Sequence, residues 1–128
     1  MKKFFSDTNF IYLIIWLVIL YGVDLWARTH GIYFIFIHFD KVMHTIAGIA
    51  LGLFAFMAVH AFRPHWSTGK KALAVIGFAL AFGAFWEVKE YLFNNLIGRV
   101  SFDPVDTTTD ILCDTLGGLI SFIYLTYL

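Results

Sequence analysis

Charge is what this chain has least of. Only 14% of its 128 residues are Asp, Glu, Lys or Arg, nine basic against nine acidic, while 60% are hydrophobic and 20% aromatic. A soluble domain carries about 25% charged residues and roughly half apolar ones. A core this small has no room for so much apolar surface, so the surplus faces lipid. Low charge with a mean hydropathy of +0.79 is also the opposite of a disordered composition. Zero net charge leaves no basic field to attract nucleic acid. The lone Cys113 has no intramolecular partner, which excludes a secreted disulfide scaffold. Phosphate-binding glycine loops, the dinucleotide fingerprint and Cys-pair zinc patterns are absent. Neither Ser101 nor Ser121 has a base and an orienting group arranged beside it, so a serine nucleophile is not expected. The composition is that of an integral membrane protein.

What the chain has instead is long apolar runs. Four of them, at about residues 9–27, 42–62, 72–92 and 107–128, approach the roughly 20 residues that a membrane helix needs. No small-x-small cleavage site follows the first run, and Asp24, Trp26 and Arg28 read as its interfacial end, so it is expected to be retained. Residues 31–39 (GIYFIFIHF) are too short to span and are placed at the interface or as a re-entrant piece. The expected fold is an all-α membrane protein: one polytopic domain over 1–128, a bundle of four transmembrane helices, with no internal repeat. Trp16, Trp26, Trp66 and Trp86 suit an aromatic belt or a lipid-facing surface. The N-terminal side of the bundle collects Lys2, Lys3, Arg63, Lys70 and Lys71 with one acid, Asp7, and every other acid lies on the opposite side. Positive charge marks the cytoplasmic face, so both termini are expected inside.

Those acids fall on helical stripes. Asp106, Asp110, Asp114, Gly117, Gly118 and Ser121 share one face of the fourth helix. Ala79, Gly83, Glu87, Glu90 and Asn94 share one of the third, with Lys89 pointing away to snorkel. Asp40, His44, Gly48, Gly52 and Ala55 share one of the second. Small residues let helix backbones approach, so the three stripes are expected to face each other and enclose one acidic cavity near a membrane surface. Its expected lining is Asp40, His44, Glu87, Glu90, Asp110 and Asp114. Capping of helix starts accounts for Asp40, Asp106 and Asp110 taken singly, with Thr107 and Asp110 forming a capping box. It does not account for Glu87, Glu90 and Asp114, a turn or more inside their helices. Asp24 and Arg28 form an i,i+4 surface pair. Carboxylates and an imidazole presented from facing helices are how bundles hold divalent ions. Lys41 and Arg99 are the nearby cations available to neutralise the cluster or clamp a phosphate.

At these residues the chain resembles a known group. Asp40-Lys41-Val42-Met43-His44 is similar to the D-K-x-x-H opening of VanZ-like membrane proteins, and Asp110 to Asp114 and Gly117 to their D-x-x-x-N-x-x-G close. Trp86-Glu87 to Glu90 and Asp106-Thr107 to Asp110 resemble the related YjdF-like inner-membrane proteins. The resemblance covers Asp40 to the C-terminus. Where the VanZ pattern has Gln and Asn this chain has Glu90 and Asp114. It implies a small bacterial envelope protein, linked in the VanZ case to glycopeptide resistance, and supplies no reaction.

The functional expectation is a divalent-metal-dependent hydrolase or transferase acting on an envelope lipid or lipid-linked substrate. Glu87, Asp110 and Asp114 are its candidate catalytic groups, the six cavity residues its candidate metal ligands, and Lys41 and Arg99 its substrate contacts. The alternative is a non-enzymatic protein that binds a cationic ligand or serves as an accessory subunit. Ion transport is disfavoured, because His60 is the one ionisable candidate to continue a path through the inner halves of the helices.

Overall fold

A computed structural model of the chain describes residues 8–93 and 103–127. Over these it is helical, with no strand among the described residues. The helices are α1 (Thr8–Thr29), the one-turn α2 (Ile32–Ile35), α3 (Phe39–Phe62), α4 (Thr68–Phe93) and α5 (Pro104–Tyr127). Four of them, over Phe10–Thr29, Phe39–Phe62, Thr68–Leu92 and Pro104–Tyr127, are long and apolar enough to cross a membrane. At 1.5 Å per residue the 22 residues of α1 reach about 33 Å, against a hydrocarbon core of about 30 Å.

The helix starts correct two capping expectations. α3 begins at Phe39 with His38 in the capping position and no side-chain cap, so Asp40 belongs to the first turn rather than capping it. At α5 the cap is Asp103, whose Oδ1 accepts from the backbone N–H of Val105 at 2.9 Å and of Asp106 at 3.3 Å. Pro104 follows, its fixed φ suited to the first helical position and its missing N–H not needed there. The helix therefore starts three residues before Thr107, and Asp110 is left for other partners. Between α1 and α3, Gly31 adopts a left-handed φ of 69° that an L side chain rarely tolerates, and the chain turns there. Phe34 after it is 93% exposed, and Ile37 also points outward. A re-entrant piece would be buried among the helices, so this segment has the form of an interfacial one.

α3, α4 and α5 pack closely because glycines line their contacts. A Cβ on Gly48 would lie 2.2 Å from the Asp114 carbonyl oxygen, and one on Gly117 would lie 2.4 Å from that of Thr45. Ser121 Oγ donates to the Ile49 carbonyl at 2.7 Å, tying α5 to α3. Further along, Ala55, Val75 and Phe122 form the small apolar core of these three helices. α1 leans mainly on α3, with Phe10 and Phe54 rings 6.1 Å apart. The outer faces carry exposed Val18, Leu73, Leu80, Leu112 and Ile120, as lipid contact requires.

Candidate functional site

The up-and-down order brings the end of α1, the start of α3, the end of α4 and the start of α5 to one end of the bundle. His44 lies at its centre, buried on α3, with Nδ1 2.9 Å from Asp114 Oδ2 on α5. A carboxylate only accepts, so Nδ1 donates, which fixes the ring and turns Nε2 toward Asp40 Oδ1 at 3.8 Å and Glu87 Oε1 at 3.7 Å. Asp114 sits 3% exposed in a slot made by glycines: a Cβ on Gly83 would meet its Oδ2 at 2.6 Å. Any side chain there would push Asp114 off the imidazole.

Asp110, 1% exposed, accepts from Lys41 Nζ at 2.6 Å, and the same ammonium reaches Asp106 at 2.5 Å. One ligand atom each from Asp40, His44 and Asp110 lies within 4.8 Å of the others. Atoms held 2.0–2.6 Å from one ion lie at most about 4–5 Å apart, so two carboxylates and an imidazole here fit a divalent cation. Glu87, with its side chain 9% exposed, stands beside this group with Oε1 3.7 Å from His44 Nε2, and that oxygen has no hydrogen-bond partner among the described residues. An unpaired buried carboxylate oxygen is costly and calls for a proton or a cation.

The residues expected to share one cavity divide into two groups. Asp40, His44, Glu87, Asp110 and Asp114 come together, with Lys41 as their cation. Glu90 turns instead to α1, where the Arg28 guanidinium pairs with it and also with Asp24, Nε lying 2.9 Å from Asp24 Oδ2. Tyr33 donates its hydroxyl to Asp24, and its ring lies 5.2 Å beneath the Arg28 guanidinium. Burial, then the bond to Asp24 and that carboxylate's charge, hold the Tyr33 phenol above its ordinary range. Asp24 and Arg28 are indeed an i,i+4 pair, and Tyr33 and Glu90 are the partners that spacing alone did not supply. Arg99 and Asn94 lie outside the described residues. Lys89 is exposed, as expected, with Nζ 3.5 Å over the Trp86 ring.

Next to this site a cavity of about 380 Å³ runs between α1, α3 and α4. Asp24, Arg28, Tyr33, Asp40, His44 and Asp114 line its polar end, and Leu17, Leu51, Phe54, Phe78 and Phe82 line its apolar length. Trp86, expected at the belt or on the lipid-facing surface, lines it too. The sequence signal for its wall is the aromatic row Phe78, Phe82 and Trp86, four residues apart on one face of α4.

No curated protein and no solved structure matches the chain. Family comparison supports a membrane protein family without singling out the VanZ-like or YjdF-like groups that the motifs resemble. A family model matches residues 3–128, and the chain belongs to that family, described as predicted membrane protein (DUF2238).

Proposed function

We propose that this protein is a single-domain bacterial inner-membrane protein that uses a divalent cation to hydrolyse or transfer a phosphate-bearing group of an envelope lipid or lipid-linked substrate. The observation that carries the reading is the closeness of ligand atoms from Asp40, His44 and Asp110, with Glu87 Oε1, which has no hydrogen-bond partner among the described residues, 3.7 Å from His44 Nε2. Asp40, His44 Nε2 and Asp110 are the proposed ligands. Asp114 sets the tautomer and angle of His44, the part that carboxylates commonly play behind a metal-binding imidazole. A cation there would neutralise a phosphate and make bound water more acidic. Glu87 is the proposed general base. It takes a proton as the water oxygen bonds phosphorus and the P–O bond to the leaving group breaks, then returns that proton to the departing oxygen. Lys41 is the proposed phosphate contact, exchanging Asp110 for the substrate's oxygens. Arg99 is a second proposed contact. Glu90 is assigned to holding Arg28 rather than to the chemistry. With both termini cytoplasmic, the site faces the outer side of the membrane.

A second reading is favoured by the excess of carboxylates over cations at the polar end of an otherwise apolar cavity: non-enzymatic binding of a cationic amphiphile. One experiment separates the two. Protein in phospholipid vesicles is assayed for phosphate released from lipid phosphates with Mg²⁺, Mn²⁺ or Zn²⁺, wild type beside Glu87→Gln. The enzyme reading expects release by the wild type and none by a folded, inserted variant. A fully active Glu87→Gln sinks the assignment of Glu87. No release by either, with cationic amphiphile binding weakened in the variant, selects the binding protein.

A further inference from the structure

The cavity beside the acidic site has a shape that the site's chemistry alone does not require. Beyond its polar end, its lining runs along α3 from His44 to Phe54, 10 residue steps or about 15 Å of helix. One leaflet of hydrocarbon is about half of 30 Å, so the space matches a lipid chain in length. At about 380 Å³ it falls within the roughly 300–1,000 Å³ of ordinary ligand pockets. Away from its polar end the wall of Leu17, Leu51, Phe54, Phe78 and Phe82 gives water nothing to bond, and a dry space in a bilayer is filled by hydrocarbon. The polar end places Asp40 and His44, two of the proposed ligands, in the wall itself.

We infer that this cavity holds one acyl chain of the phospholipid substrate, taken in sideways from the bilayer beside α1, with the phosphate end at Asp40 and His44. The inference rests on the proposal that the substrate is a lipid, and it names which part of the lipid the protein grips.

The test uses full-length protein in vesicles of phosphatidylethanolamine and phosphatidylglycerol that contain a phospholipid with a diazirine on one acyl chain. After irradiation, adducts are mapped by peptide mass spectrometry. Leu51 is turned away from the surrounding bilayer, whereas Leu73 and Leu112 face outward. Adducts are expected on the cavity residues Leu51 and Met43 as well as on Leu73 and Leu112. Ala47→Phe and Leu17→Trp, which fill the cavity from opposite walls, are each expected to abolish the inward adducts and spare the outward ones. Outward adducts alone in the wild type, or inward adducts that survive both substitutions, overturn the inference. Metal content is measured on the same samples and on Asp40→Asn. Inward adducts with no metal in any sample leave the acyl channel standing and refute the cation. Bound metal without inward adducts refutes the channel alone.

Discussion

The contact between α3 and α5 and the flank of α1 are built of opposite materials. Along the first, Gly48, Gly52 and Gly117 bring backbones so close that a methyl group has no room. Along the second, Leu17, Leu20, Phe54 and Phe82 hold helices apart around a cavity. The acids differ in the same way. Asp110 and Asp114 are almost wholly buried where the backbones meet, while the ion pairs of α1 involve an Arg28 side chain that is 40% exposed. Close packing is what fixes a buried carboxylate against an imidazole, and loose packing is what leaves space for a ligand. A bundle packed uniformly either way would lack one of the two.

The largest expected effect tests the tight side. Gly48→Ala drives a methyl into the Asp114 backbone and is expected to cost about 3 kcal/mol, read as a lowered melting temperature in detergent. Lys41→Met comes next. It strips the buried Asp110 of its cation and is expected to cost about 1.5–3 kcal/mol, with Asp110→Asn in the same chain recovering part of the loss. On the loose side, Arg28→Gln breaks the half-exposed pairs to Asp24 and Glu90 and is expected to cost about 1 kcal/mol, and less in high salt. A methyl on Gly22 would meet nothing within 4 Å, so Gly22→Ala is expected to be neutral or stabilising by about 0.5–1 kcal/mol. Equal melting temperatures for Gly48→Ala and Gly22→Ala would erase the contrast. The smallest effect is spectroscopic. With its ionisation held above the ordinary phenol range of about 10, Tyr33 stays neutral as pH rises through that range and titrates late, and Tyr33→Phe is expected to remove the late phase from an ultraviolet titration.

The glycine stripes and the acids that follow them were legible because both obey the 3.6-residue period. Asp40, His44, Glu87, Asp110 and Asp114 share depth and face, and they meet. Glu90 shows the limit of that logic. Three residues turn a helix about 300°, so Glu90 stands roughly 60° around α4 from Glu87, and Arg28 on α1 takes it. Periodicity says which side of a helix a residue is on, not which of two neighbouring helices lies there. The same limit hid the cavity, which depends on the distance between α1 and α4 and has no period of its own. Helix starts were misplaced for a different reason. Thr68 to Lys71 open α4 outside its apolar run, and hydropathy marks where lipid begins rather than where hydrogen bonding does.

The central claim is that the tight end of the bundle holds a divalent cation between Asp40, His44 and Asp110. Elemental analysis of the detergent-purified protein after equilibration with Mg²⁺, Mn²⁺ or Zn²⁺ tests it most directly, with Asp114→Asn alongside and both checked for intact folding. The account predicts a stoichiometric metal in the wild type and an affinity about 10–100-fold weaker in the variant, whose His44 has lost its orienting carboxylate. No metal in the wild type under any of the three ions, or equal binding by Asp114→Asn, would contradict it.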